Sequence, residues 1–148
     1  MYIAKQINFF KILLAACVLL PFVLNSHALK EAIQSTERSS ENALRDQYRN
    51  PYETLTFFGI ESDMSVIELS PGGGWYTEIL ANYIHKPGRL VAAHYNPKSE
   101  RAYFRRSRAA YDKKLASSEM YKQIEVVDLY GELAQPNSID AAITFRNL

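Results

Sequence analysis

The apolar positions of this chain fall into runs of two alternating kinds. Four short runs read as strands: Val66 to Leu69, "RLVAAHY" (Arg89 to Tyr95), "QIEVVDL" (Gln123 to Leu129) and "IDAAITF" (Ile139 to Phe145). Between them lie helical patterns. Trp75 to Ile84 carries Ile79, Leu80, Tyr83 and Ile84 at helical spacing, and Ser99 to Leu115 predicts a longer helix. Ahead of the first strand, "NPYETLTFFG" (Asn50 to Gly59) predicts a compact helix. Asn50 caps it, Pro51 takes its first position, Glu53 can close a capping box and Gly59 suits a left-handed stop. Leu55, Phe57 and Phe58 supply its buried side. Breakers at Glu61–Ser65, His85–Gly88, Asn96–Glu100 and Ala134–Ser138 separate the elements. Strands alternating with helices predict a single α/β domain with a parallel sheet covered on both faces. Right-handed crossovers then place the glycine turn "SPGGG" (Ser70 to Gly74) at the carboxyl end of the first strand. That edge is where open α/β sheets bind ligands.

The pattern changes toward the start of the chain. From Leu29 to Arg49 the apolar residues Ala32, Ile33, Ala43, Leu44 and Tyr48 are too sparse for a wide core-facing stripe. Residues 29–49 therefore read as a mobile polar leader passing into a surface helix near Ser40 to Tyr48. Residues 1–28 read as a secretory signal. Lys5 and Lys11 form a basic start, Ile12 to Leu24 is uncharged and mostly apolar, and Ser26 and Ala28 make a small-x-small cleavage site. The run is short of the ~20 residues of a bilayer span. "LAAC" (Leu14 to Cys17) has the form of a lipoprotein box, but the residues after Cys17 stay apolar. The expectation is export to the periplasm or beyond, with cleavage near Ala28.

Composition changes this picture little. The 148 residues hold 17 basic and 16 acidic side chains, and removing residues 1–28 would turn the net charge from +1 to −1. Nothing at whole-chain level points to nucleic acid. The single cysteine, Cys17, would leave with the signal, so no disulfide is expected. No His, Cys or carboxylate spacing suggests a metal. One local charge stands out. Residues 98–114 hold seven basic side chains (Lys98, Arg101, Arg105, Arg106, Arg108, Lys113, Lys114) against Glu100 and Asp112, a local +5. The bland reading is a solvated face; the functional one is contact with an anionic surface.

The glycine turn carries the candidate chemistry. Glycines allow positive φ and let a ligand approach the backbone, while the following helix start favours a negative group. A phosphate loop needs Lys after the glycines, and none follows. A dinucleotide fingerprint fits Gly72 and Gly74 but meets Thr77 where a third glycine or alanine belongs. The remaining pattern is an acid at the strand end, then alternate positions: Glu68, Ser70, Gly72, Gly74.

That pattern resembles motif I of class I S-adenosylmethionine-dependent methyltransferases. "RNPYETLTFFGIESDMSVIELSPGGGWYTEIL" (Arg49 to Leu80) is similar to a subgroup of predicted bacterial methyltransferases with signal peptides, and "ITFRNL" (Ile143 to Leu148) to that subgroup's fourth-strand motif. The resemblance runs from about Arg38 to Leu148. It implies a Rossmann-like three-layer sandwich whose sheet has seven strands. About four of them are represented, with residues 50–148 as the N-terminal part of the domain. Ending at Leu148, the chain reads as a fragment or short form that would be poorly active alone. The resemblance implies S-adenosylmethionine as cofactor. Glu68, Ser70, Gly72, Gly73 and Gly74 would line its methionine and ribose part, and Asp128 would reach the adenine edge. Tyr76, Arg146 and Asn147 would face an unknown methyl acceptor. Two positions depart from the family pattern. Ser70 replaces a glycine, and His94, with Asn96 two residues on, stands where a ribose-binding carboxylate belongs. Exchanging a carboxylate for a neutral partner implies a loss on the order of tenfold in affinity. Two further functions stay open at this point: a non-catalytic exported binding domain of the same fold, and an NAD-dependent oxidoreductase.

Overall fold

A computed structural model describes residues 26–145 of the chain. Of the signal reading of residues 1–28, residues 1–25 lie outside them, as do the acceptor-side residues Arg146 and Asn147, while residues 26–28 are helical. The described chain begins in helical residues 26–33 (α1). Then follow α2 (Ser40–Ala43), α3 (Asp46–Arg49), α4 (Pro51–Phe57), β1 (Ser65–Leu69), α5 (Trp75–Tyr83), β2 (Arg89–His94), α6 (Ala102–Leu115), a 3-10 turn (Glu119–Tyr121), β3 (Glu125–Asp128) and β4 (Ala141–Ile143).

The sheet is parallel throughout, with order β3-β2-β1-β4. It is the Rossmann-like α/β arrangement the alternating pattern implies, represented by four strands. The order reverses between β1 and β4, and the glycine turn leaves β1 at that switch point. β4 is short but doubly tied to β1. The backbone N–H of Asp140 donates to Ser65 O at 2.8 Å, and Ser65 N–H donates to the Asp140 carboxylate at 2.7 Å.

Period-two alternation sends the strand side chains to two unlike faces. On one face Val66, Leu90 and Ile143 pack with Leu29, Ala32, Leu55, Ile79, Leu80 and Tyr121. On the other, Ile67, Val91 and Ala93 pack under Leu129, Leu133 and Ile139. All the helical core residues therefore lie on the first face. Among the described residues the second face carries irregular chain in place of the expected third, helical layer.

Three local expectations need correction. The leader is not loose: Leu29 and Ala32 enter the core, and Arg38 is buried against Asp46 and Glu78. Its sparse apolar residues suffice because α1 needs only one narrow contact, and ionic partners fix the rest. α2 and α3 do stay on the surface, with no buried residue. In α4, Leu55 is buried, but Phe57 and Phe58 are 84% and 53% exposed. Seven residues make only two turns, so the inward stripe is filled by Pro51 and Leu55. Phe58 instead meets Phe145 edge-on, ring centroids 6.2 Å apart. Asn50 makes no side-chain cap; it sits at φ 44°, ending α3 as a left-handed residue before Pro51 starts α4. Gly59 does take the expected left-handed stop at φ 64°.

Gly88, just before β2, shows how closely the strands are joined. A Cβ there would stand 2.5 Å from the backbone of Asp63 and Met64. We expect Gly88→Ala to cost about 1–3 kcal/mol by overpacking against immovable backbone. Gly73→Ala meets nothing within 4 Å and should be close to neutral. Urea unfolding of the two variants side by side checks this; equal midpoints would contradict it.

Candidate functional site

The chain turns sharply after β1. Ser70 is left-handed at φ 55°, and its N–H donates to Ala93 O at 2.9 Å. Gly72 and Gly74 are left-handed too, at φ 59° and 75°. A glycine would hold this conformation freely; Ser70 holds it at some steric cost. The Gly74 N–H donates to Pro71 O at 2.9 Å, closing the turn, and α5 starts at Trp75.

The three glycines are not equivalent. A Cβ on Gly72 or Gly73 would meet nothing within 4 Å. One on Gly74 would press on Tyr111 and Lys114 of α6 at 3.1 Å. Gly72 and Gly73 thus leave backbone open at the carboxyl edge, while Gly74 lets α6 close on the turn.

Beneath the turn lies a buried polar cluster. Glu68 is 2% exposed and accepts the Thr77 hydroxyl at 2.6 Å. Thr77 also meets the Tyr111 hydroxyl at 3.2 Å. Burial pushes the Glu68 carboxyl up to about 7, against the pull of Thr77 and Lys114. Burial likewise raises the Tyr111 phenol. Glu68 therefore supports the turn from inside and is not on its open surface. Thr77, read in the sequence only as a missing glycine, is the residue that holds it.

His94 also departs from its expected place. It is 1% exposed and stacks on Tyr111, ring centroids 4.8 Å apart. Its Nδ1 accepts the Tyr95 N–H at 2.8 Å, so the ring proton sits on Nε2, 3.3 Å from Gly72 O. Burial lowers its basicity, with the contact to Gly72 working the other way. Both ring nitrogens are engaged, and His94 pins the turn from behind instead of facing a ligand. Period-two geometry explains this: His94 follows Leu90 and Ala92 on the helix-covered face.

The polar groups at the open edge are Asn96, exposed, and Asp128, half-buried. Asn96 Nδ2 donates to Asp128 at 2.6 Å, and the Tyr130 N–H donates to the other carboxylate oxygen at 3.0 Å. These contacts, the Tyr130 N–H first, hold the carboxyl below its ordinary range. Asp128 pairs in register with His94, so a carboxylate stands one strand away from where β2 lacks one. Aromatic rings flank the pair. Tyr95 stacks on Phe104 at 4.0 Å, Tyr130 lies 6.4 Å beyond, and Arg101 sits 5.2 Å over Phe104.

On the β4 side, Tyr76 is buried and stacks on Phe145, centroids 3.6 Å apart. Burial raises its phenol. It serves as packing, as does Trp75, whose indole N–H donates to Asn42 O at 2.8 Å.

The structure thus brings Gly72, Gly73, Asn96 and Asp128 to one open edge. It sets Glu68, Ser70, Gly74 and His94 behind it as supports. Tyr111 and Lys114 had no motif to reveal them; Tyr111 had only its inward spacing on the basic helix. No cluster of metal-binding side chains occurs among the described residues.

Fold and edge together define a parallel α/β protein with a glycine turn at its topological switch point. Comparison with known proteins adds nothing to that class: no family model, curated protein or solved structure matches the chain.

Proposed function

We propose that the chain binds S-adenosylmethionine along the carboxyl edge of its sheet, as the cofactor-binding part of a methyltransferase. The observation that carries this reading is the pair of open glycines, Gly72 and Gly73, set at the switch point beside the Asn96–Asp128 pair. A Cβ at either glycine would fill the space a ligand needs, which is the fit expected of such a cradle. Gly72 and Gly73 would receive the aminoacyl end, and Asn96 and Asp128 the hydroxyl and base edges. When bound, the cofactor supplies a methyl group on a sulfonium. The chain's own residues bind and orient it. Thr77 and His94 fix the turn, and the lowered Asp128 carboxyl stays ionised as an acceptor at neutral pH. A dinucleotide is disfavoured because Thr77 occupies the close strand–helix contact that a glycine would leave free. The pattern of residues 1–28 supports export, which would require cofactor outside the cytoplasm.

Calorimetry on the chain tests the reading. S-adenosylmethionine and S-adenosylhomocysteine should give heat and NAD none. Asp128→Asn should weaken both by on the order of tenfold. Absence of binding by both sulfur ligands would overturn the proposal.

A further inference from the structure

Helix α6 presents two unlike stripes. Phe104, Arg108, Tyr111 and Leu115 turn inward: Tyr111 is 1% exposed, and Arg108 donates to Tyr95 O at 3.2 Å and to Asp112 at 2.7 Å. Tyr103, Arg106, Ala110 and Lys113 turn outward, at spacings of three, four and three, and all are exposed. Tyr103 is 63% exposed.

The cations of this helix divide in the same way. Arg105 donates to Ser99 O and Glu100 O, Arg108 pairs with Asp112, and Lys114 pairs with Glu78. Arg106 and Lys113 have no hydrogen-bond or ion-pair partner among the described residues. The one acid within α6, Asp112, is taken by Arg108, so the outer stripe carries positive charge unopposed. Between its cations lie only the methyl groups of Ala109 and Ala110. Arg106 and Lys113 stand about 10 Å apart along the axis, at 1.5 Å per residue. Lys98 and Arg101 add charge just ahead of the helix.

We propose that this outer stripe docks on an anionic phospholipid surface. Arg106 and Lys113 meet phosphate groups, and Tyr103 sits at headgroup level, where a phenol is wet at one end and apolar at the other. The stripe is convex and nearly straight, which suits a plane. Single-stranded nucleic acid would want a groove with several stacking rings; the stripe's one ring, Tyr103, meets its neighbours Tyr95 and Phe104 edge-on at 6.2 and 6.0 Å, not as a row of parallel stacking faces. The inference is independent of any cofactor.

The test is co-sedimentation of the full chain with phosphatidylcholine vesicles, with and without phosphatidylglycerol. The apolar run of residues 12–24 can partition into both, so the neutral vesicles set the baseline. An added bound fraction is expected on the anionic vesicles, lost near 1 M salt, where screening falls to ~3 Å. The double variant Arg106→Gln/Lys113→Gln should lower the anionic partition roughly thirtyfold, at about fivefold for each cation. Lys122→Gln, exposed but paired with Glu119, should leave it unchanged. Circular dichroism confirms that the variants fold. Equal binding to both vesicle types would overturn the proposal. So would an anionic increment that survives the double variant, or preferential capture by a single-stranded oligonucleotide.

Discussion

Glu78→Ala should destabilise the chain by about 3–5 kcal/mol, the range found when one partner of a buried ion pair is removed. Glu78 is 1% exposed on α5, one carboxylate between two cations. It accepts from Lys114 of α6 and from Asn42 Nδ2 at 2.8 Å, and lies 3.8 Å from Arg38 Nε. The Arg38 side chain has no exposure at all. It also grips Asp46 through two bonds of 2.6 and 2.9 Å. Without Glu78, Arg38 keeps Asp46 but loses the acid on its other side, and Lys114 must reach for solvent. The total stability of a domain this size is about 5–15 kcal/mol, so the variant should unfold at far lower urea. Replacing both partners, as Arg38→Met with Glu78→Leu, should recover only part of the loss: no charge is left at the two buried positions, but Asp46 and Lys114, each partly exposed, lose their partners and must turn to solvent. A double-mutant cycle by urea unfolding measures this. A single variant that unfolds at the wild-type midpoint would show that the carboxylate is not the tie between these elements.

That tie explains why part of the fold was legible in the sequence and part was not. The strands and the helices after Ser65 announce themselves through periodicity, because Val66, Leu90, Ile79 and Leu80 each bury an apolar side chain on a repeating face. Residues 29–49 hold few such positions. Arg38, Asn42 and Asp46 are ordinary surface residues by composition; Arg38 and Asn42 become structural through Glu78, 36 residues beyond Asn42, and Asp46 through Arg38, 8 residues before it. The glycine turn was legible as a turn, since positive φ leaves a compositional mark at Gly72 and Gly74. Which of its neighbours face outward was not. Glu68 and His94 both carry chemistry suited to a site, yet strand parity turns both toward α6. Asn96 and Asp128 lie at or beyond the strand ends, where parity no longer forces a side chain inward. Their meeting depends on strand order, which puts β2 beside β3. Thr77 shows the limit of motif reading. A motif records the glycine that is missing, while the structure records the hydroxyl gained, 2.6 Å from a carboxyl with no solvent to satisfy it.

Glu68→Gln should remove a pH dependence that the wild-type chain carries in its core. The ordinary value of a glutamate here is 4.5, and burial lifts the folded value to about 7. Below 4.5 the group is protonated in both states and has no effect on stability. Between 4.5 and 7 the unfolded chain ionises first, so stability falls as pH rises. Above 7 both states are ionised and the penalty is constant, at roughly 3 kcal/mol for a shift of this size. The amide variant cannot ionise, so it escapes the penalty. Its side-chain oxygen can still accept the Thr77 hydroxyl, which in turn can accept from the Tyr111 hydroxyl 3.2 Å away. Relative to wild type, the variant should therefore gain stability steadily from pH 4.5 to 7 and hold that gain at pH 8. Comparing the two chains cancels the titration of groups that keep the same surroundings, though Lys114 and Tyr111 feel the lost charge directly. Urea unfolding at pH 4.5, 6 and 8 reads the difference. Parallel curves would mean that Glu68 titrates alike in both states, and that its burial under the glycine turn carries no electrostatic cost.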